Sequence, residues 1–244
     1  MRFTLEMVLA NEQLAIDYRT VILSYFKNGL SKYLNGSYFD KYYASSVRKP
    51  FSFAAWLGKA QFCSDKILVP SKRIKIHWST DSFEAGIVFY NAFTEQKNNW
   101  YPLPLGNSMR MEQIAIEKEE VITTTDIEVV FVSPLCVRNH NKETNKDQYY
   151  SYGKEGFNES LREVLEQELS YHGGLYNGML NDFYLEPINC KKTVIKYHKQ
   201  SIEATLGTFR MHGAIPLLTH FYLAGFSSKR SAGFGYFDII KQGR

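Results

Sequence analysis

The chain has 244 residues, the size of one large domain or two of roughly 120 each. Its hydrophobic content of 44% is that of a globular protein with real cores, and no apolar run approaches the roughly 18 residues a membrane helix needs. A net charge of +4 is modest, so any nucleic-acid binding has to come from local clustering of cations. Aromatic residues reach 15%, with 17 Tyr and 17 Phe, which suits base stacking and dense cores equally. Cys63, Cys136 and Cys190 are odd in number and far apart, with no disulfide framework and no metal spacing. They read as buried thiols in a reducing cytoplasm.

Residues 2–9 alternate as a strand, with Phe3, Leu5, Met7 and Leu9 on one side. Residues 14–34 carry apolar positions at three- and four-residue spacing, an amphipathic helix stopped by Asn35-Gly36-Ser37. A shorter helix is expected over 38–44, then a polar turn through Ser46. Strands are expected over 51–57 and 69–78, a second amphipathic helix over 82–93 and a strand over 109–118. Together these make one βαββαβ unit.

The second half repeats the order. Residues 127–132 are a β-branched run, expected as a strand buried on both faces. Residues 138–152 are polar and rich in Asn, expected as a loop or mobile insertion. A helix over 157–171 is followed by a hairpin of 192–198 with 202–212. Residues 215–224 form a last helix, with Pro216 suited to its first turn, and residues 236–240 a last strand. The class is α+β, and the absence of a low-complexity linker implies that the two units pack together.

Between that last helix and strand lies Gly225-Phe-Ser-Ser-Lys-Arg-Ser-Ala-Gly-Phe-Gly235. Gly225, Gly233 and Gly235 free the backbone for positive φ and for close approach. Ser227, Ser228, Lys229, Arg230 and Ser231 are all donors to phosphate, and Phe226 and Phe234 are spaced to anchor the ends. Such a stretch is either a tight turn or an anion cradle. Charge is sorted along the chain: residues 41–59 hold four cations and no acid, and residues 191–199 hold four lysines and no acid, Lys192 and Lys196 among them. These runs are either ordinary solvated faces or parts of one phosphate-facing surface. Of the six histidines, His77, His198, His212 and His220 fall within strand or helix patterns as satisfied core or edge residues. His172 precedes Gly173-Gly174 at a helix end, and His140 could reach a nucleic acid but has no partner in sequence. No His-x-x-x-His or Cys-x-x-Cys pair occurs, so no metal and no cofactor is expected.

Gly-hydrophobic-x, five residues, then Gly-hydrophobic-Gly, near the end of a mixed α/β chain, resembles the terminal glycine-rich signature of the CRISPR-associated repeat endoribonucleases of the RAMP superfamily. The usual third-position glycine is Ser227 here. The run Arg48-Lys49-Pro50-Phe51-Ser52-Phe53 also matches that family's lead-in to its second strand. The resemblance implies two tandem ferredoxin-like halves, residues 1–122 and 123–244. It implies metal-independent cutting of CRISPR repeat RNA by the 2′-hydroxyl, leaving 2′,3′-cyclic phosphate and 5′-hydroxyl ends. Its usual base, a histidine upstream of the Lys-Pro-Phe run, falls on Tyr43, and no histidine precedes His77. A phenol with an ordinary pKa of about 10 is a poor ready-made base. By the same resemblance Lys49 stabilises the phosphorane, Lys27 faces the scissile phosphate from the first helix, and Tyr42 and Arg48 are the alternates to Tyr43 and Lys49. Tyr42 and Tyr43 also read as plain core aromatics, and Lys27 as an exposed helix lysine. A second reading is an RNA-holding subunit that has lost catalysis; a third is an unrelated module whose glycine loop binds a small phosphate. Repeat RNA is the implied partner, with a multisubunit CRISPR effector complex or a second copy of the chain beyond it.

Overall fold

Alternation at the start of the chain gives the strand β1 (Arg2–Leu9), with Phe3, Leu5, Met7 and Leu9 all buried. The computed structural model describes residues 1–44, 48–198 and 200–243. The expected turn through Ser46, and Lys199 at the end of the second lysine run, lie outside the described residues. A short strand β2 (Gln13–Ala15) takes Leu14, so the first helix, α1 (Tyr18–Lys32), starts later than its apolar spacing suggests. Asp17 sets that start, accepting from the Thr20 N–H at 3.3 Å and the Thr20 hydroxyl at 2.8 Å. Leu34 and Asn35 take left-handed φ of 47° and 55° and end the helix, and α2 (Phe39–Tyr43) follows.

Then come β3 (Ser52–Trp56), β4 (Gln61–Phe62), β5 (Lys66–Leu68), β6 (Arg73–Ser79), α3 (Phe83–Glu95), β7 (Tyr101–Leu103) and β8 (Asn107–Ile116). The antiparallel sheet runs β3-β6-β1-β8-β7, while β2, β5 and β4 form a small separate sheet. α1 and α3 cover one face through an aromatic core. Phe3 stacks on Trp78 at 4.6 Å, and Phe26, Phe51, Phe53, Phe89 and Phe93 close around them. Much of the aromatic content is spent here.

The second half comprises β9 (Asp126–Phe131), β10 (Val137–Asn141), β11 (Lys146–Tyr150), α4 (Phe157–Ser170), β12 (Tyr184–Tyr197), β13 (Gln200–His212), α5 (Ile215–Ala224) and β14 (Phe237–Gln242). Its sheet order, β12-β13-β9-β14, repeats β3-β6-β1-β8, so the chain is two ferredoxin-like halves in tandem. Three expectations are corrected. β9 is buried on one face only, through Ile127, Val129 and Phe131. The polar stretch over 138–152 contains the hairpin β10–β11, because Arg138 pairs with Tyr149 and His140 with Asp147 across it. The Asn141 side chain accepts from the Glu143 and Thr144 N–H groups and closes its turn. The later hairpin is much longer than its apolar core suggested, since β12 is an exposed edge strand with few buried positions to mark it. Cys136 is fully buried, whereas Cys63 and Cys190 are half-buried; all three are free thiols.

The halves are joined by buried arginines. Arg2, 1% exposed, donates to the Phe237 carbonyl at 3.1 Å, meets Asp238 at 2.5 Å and lies between the Tyr222 and Tyr236 rings. A small apolar cluster of Cys136, Ile202, Ala232 and Phe234, with Leu23 of α1 against it, fills the joint on the other side. No helix among the described residues is long and apolar enough to cross a membrane.

Candidate active site in the cleft between the halves

The glycine-rich loop is docked on β3. Gly225, Gly233 and Gly235 have φ of 82°, 82° and 69°, and Ser52 donates to the Phe234 carbonyl at 3.2 Å. Arg19 of α1 donates to the Gly233 carbonyl at 3.1 Å and lies over the Phe234 ring. Phe226 and Phe234 are fully buried at the loop's two ends. Ser227, in the position of the expected glycine, keeps a left-handed φ of 78°, and its hydroxyl donates to the Cys136 carbonyl. Arg230, 6% exposed, donates to the Ala224 and Gly225 carbonyls at 3.1 and 3.4 Å, satisfying the end of α5. Its other nitrogen is 2.6 Å from Glu168. These groups, expected to grip phosphate, take part in the joint, and Ser227 and Arg230 line the cleft as well. Ser228, Lys229 and Ser231 line the cleft beside them.

On the first half, the proposed catalytic residues come together. The Nζ atoms of Lys27 and Lys49 each stand 5.4 Å from the centre of the Tyr43 ring, so the aromatic ring is shared by two ammonium groups. α1 presents Lys27, the end of α2 presents Tyr43, and Pro50 with the buried Phe51 fixes the chain after Lys49. Burial, then the neighbouring Lys27 charge, lowers the pKa of Lys49. Burial, then Tyr197, raises that of Tyr43, whose hydroxyl has no hydrogen-bond partner among the described residues. Tyr42 turns into the core, 3% exposed and edge-on to Phe89 at 5.2 Å. Burial, then Glu84, pushes its phenol up to about 12. It belongs to the packing.

Lys49 and Lys229 line one cleft of about 480 Å³. Arg48 and Lys49 of the first half line it together with β10, α4 and the glycine loop of the second. Lys229 lies 5.8 Å from the ring centres of both Tyr149 and Tyr197, and burial, then Arg138, lowers its pKa. Arg48 is tied down: its Nε donates to Glu168 at 3.0 Å, and Nη2 lies 3.1 Å from His172 Nε2. Burial, then the nearby Arg230, lowers its pKa to about 10.

Within the joint, Asp81, His172 and His220 bring ligand atoms within 4.8 Å of one another, a grouping of a kind that can hold a cation. His220 is fully buried with Nδ1 2.8 Å from Asp81. Arg48 already occupies one nitrogen of His172, and Arg48 with Arg230 balances Glu168 and Asp81 in charge. The arrangement suits a neutral polar joint better than a divalent ion.

Lys192 and Lys196 lie on the exposed edge strand β12, where Lys192 is 2.6 Å from Glu203 and Lys196 donates to Ser201 at 2.8 Å. Neither lines the cleft. Sequence reasoning missed Arg138 and Tyr149, because their stretch read as a loop, and Tyr197, which an edge strand disguised. The three residues of the buried joint also meet only in the fold.

The fold and the lysine-lined cleft define a tandem ferredoxin-like protein with cations placed to hold a polyanion. The chain belongs to the Cas6 family: residues 117–239, just over half of it, match the family described as CRISPR associated protein Cas6, C-terminal. A solved structure described as an RAMP protein binding different RNA substrates is 21% identical, with a TM-score of 0.83 over 99% of this chain and 100% of that one. A Cas6-related protein from Pyrococcus furiosus is 20% identical, with a TM-score of 0.84 over 100% of this chain and 99% of that one. A Cas6 product complex is 14% identical, with a TM-score of 0.72 over 98% and 99%. No curated protein matches the chain.

Proposed function

We propose that this protein binds CRISPR repeat RNA in the cleft and cuts it without a metal ion, by attack of the 2′-hydroxyl on the adjacent phosphate. The boundary between the halves is taken at residues 122–123, so that both contribute to the RNA path. The observation that carries the reading is the pairing of Lys27 and Lys49 about the Tyr43 ring, with Lys49 and Lys229 lining one cleft. The phosphorane gains negative charge, which converging ammonium groups stabilise. The lowered pKa of Lys49 also makes it a readier proton donor to the departing 5′-oxygen than an ordinary lysine. Tyr43 serves through its ring, as the scaffold that sets the two lysines. The 5′-hydroxyl and cyclic-phosphate products follow, and the retained RNA passes to a CRISPR effector complex.

Purified protein incubated with its repeat RNA in EDTA is expected to release a fragment with a cyclic-phosphate end. Lys49→Ala is expected to slow the cut by about 10² to 10⁴. The buried Tyr43 hydroxyl, standing where the resemblance expects an imidazole, favours a second reading, a subunit that holds repeat RNA without cutting it. Binding with no fragment under any condition, and no change in Lys49→Ala, selects that reading.

A further inference from the structure

The cut proposed above still needs an acceptor for the 2′-hydroxyl proton. Tyr43 is held protonated by burial, and lysines serve better as cations and acids. One histidine among the described residues lines the cleft, His140 on β10. Its Nδ1 lies 2.8 Å from Asp147 Oδ1, directly across the β10–β11 hairpin. Asp147 is itself fixed by Arg138 Nη1 at 3.2 Å, by the Tyr149 hydroxyl at 3.0 Å and by Lys229 Nζ at 4.0 Å. Burial pushes its carboxyl up, but His140, Arg138 and the Tyr149 hydroxyl together outweigh it and hold the carboxyl below the usual range. Nε2 of His140 has no partner among the described residues, and the side chain is 39% exposed.

We infer that His140 is the general base of this protein, supplied from the second half in place of the histidine missing from the first; the inference rests on the cleavage reading above. An aspartate accepting from Nδ1–H fixes the neutral tautomer whose lone pair sits on Nε2. It also stabilises the imidazolium once that nitrogen has taken a proton. The step balances without a further reactant. Nε2 takes the 2′-hydroxyl proton, the 2′-oxygen–phosphorus bond forms, the bond from phosphorus to the 5′-oxygen breaks, and Lys49 protonates the leaving oxygen. Solvent then returns a proton to Lys49 and takes one from His140. In-line displacement puts the attacking and departing oxygens on opposite sides of phosphorus. Lys49 and His140 line the same cleft from different halves of the chain, Lys49 ahead of β3 and His140 on β10, so that a phosphate bound between them has an acid and a base from separate elements. The sequence held only half of this signal, since the aspartate lies on the partner strand of a hairpin that reads as a loop.

The test is single-turnover cleavage of the repeat RNA in EDTA by the wild type, His140→Ala and His140→Asn, with RNA affinity and melting temperature measured alongside. The expected result is cleavage slower by about 10² to 10⁴ in both variants, unchanged affinity and melting temperature, and partial recovery of His140→Ala by imidazole in the buffer. Wild-type rates in both variants overturn the assignment and leave the cleavage reading standing. A slowed rate that imidazole does not restore, with weakened RNA binding, makes His140 a contact residue and overturns it too. A wild type that binds the repeat and never cuts it overturns both.

Discussion

Gly233 lies against Phe53 so closely that a methyl group on it would meet ring carbons at 2.8 Å. Its φ of 82° excludes an easy shift to another side chain. Gly233→Ala therefore forces overpacking and left-handed strain together, a loss of at least about 2 kcal/mol. Urea denaturation is expected to show an earlier midpoint. RNA affinity is expected to fall with it, because the same loop carries Lys229. A variant as stable as the wild type would show that the loop is not locked on β3.

Tyr43→Phe separates the ring from the hydroxyl. The hydroxyl is buried and has no partner among the described residues, a situation that costs about 1–3 kcal/mol. Both lysines face the ring rather than the oxygen. The variant is expected to cut at close to the wild-type rate and to melt at an equal or higher temperature, while Tyr43→Ala loses activity. A hundredfold fall in Tyr43→Phe, on the scale of losing a proton-transfer group, would return the phenol to the reaction.

The architecture was largely legible because β1, α1, α3 and α4 each have one buried face, and the period of the apolar residues reports it. Lys27, Tyr43 and Lys49 were legible as a set only through the resemblance; nothing in their spacing shows that two ammonium groups meet over one ring. The glycine loop was half legible. Its composition announces close backbone approach, but whether the approaching group is phosphate or β3 depends on tertiary contacts, and β3 takes most of it. The β10–β11 hairpin was hidden because its stabilising pairs are polar, Arg138 and His140 with Asp147, and leave no apolar alternation.

Ser227 takes a left-handed φ of 78° at the position where the resemblance expects glycine. Left-handed φ costs a side-chain-bearing residue about 1–2 kcal/mol, and one hydrogen bond to the Cys136 carbonyl returns about 0.5–1.5 kcal/mol. The two nearly cancel, so Ser227→Gly is expected to melt close to the wild type. Ser227→Ala keeps the strain and loses the bond, for a fall of about 1 kcal/mol. Equal stability of the alanine and serine forms in chemical denaturation would dismiss the compensation.

His172 makes the joint acid-sensitive. Burial, then the adjacent His220 and Arg48, lowers its pKa from the ordinary 6.5 to about 4. As pH falls through 6.5 the unfolded imidazole takes a proton that the folded one refuses until about 4. Protonation therefore pulls toward the unfolded state, and stability drops across that window and levels off below it. His220, lowered by burial against the pull of Asp81, acts in the same direction. Melting temperature is expected to decline from pH 6.5 toward pH 5, above the range where the carboxylates titrate. His172→Asn flattens the decline, and an unchanged slope in that variant would assign it elsewhere.

Lys229 and Lys192 offer the sharpest contrast between a cation on the RNA path and one off it. Each phosphate contact contributes about 0.7–0.9 to the slope of log affinity against log salt. Lys229 lines the cleft with its ammonium 4.0 Å from Asp147, so Lys229→Ala is expected to lower the slope by about that amount and weaken binding across sequences. Lys192 sits 2.6 Å from Glu203 on the exposed face of an edge strand, and Lys192→Ala is expected to leave the slope where it was. Filter binding or fluorescence anisotropy over a salt series reads both. The reverse pattern, a loss in Lys192→Ala and none in Lys229→Ala, would move the RNA from the cleft to the outer hairpin.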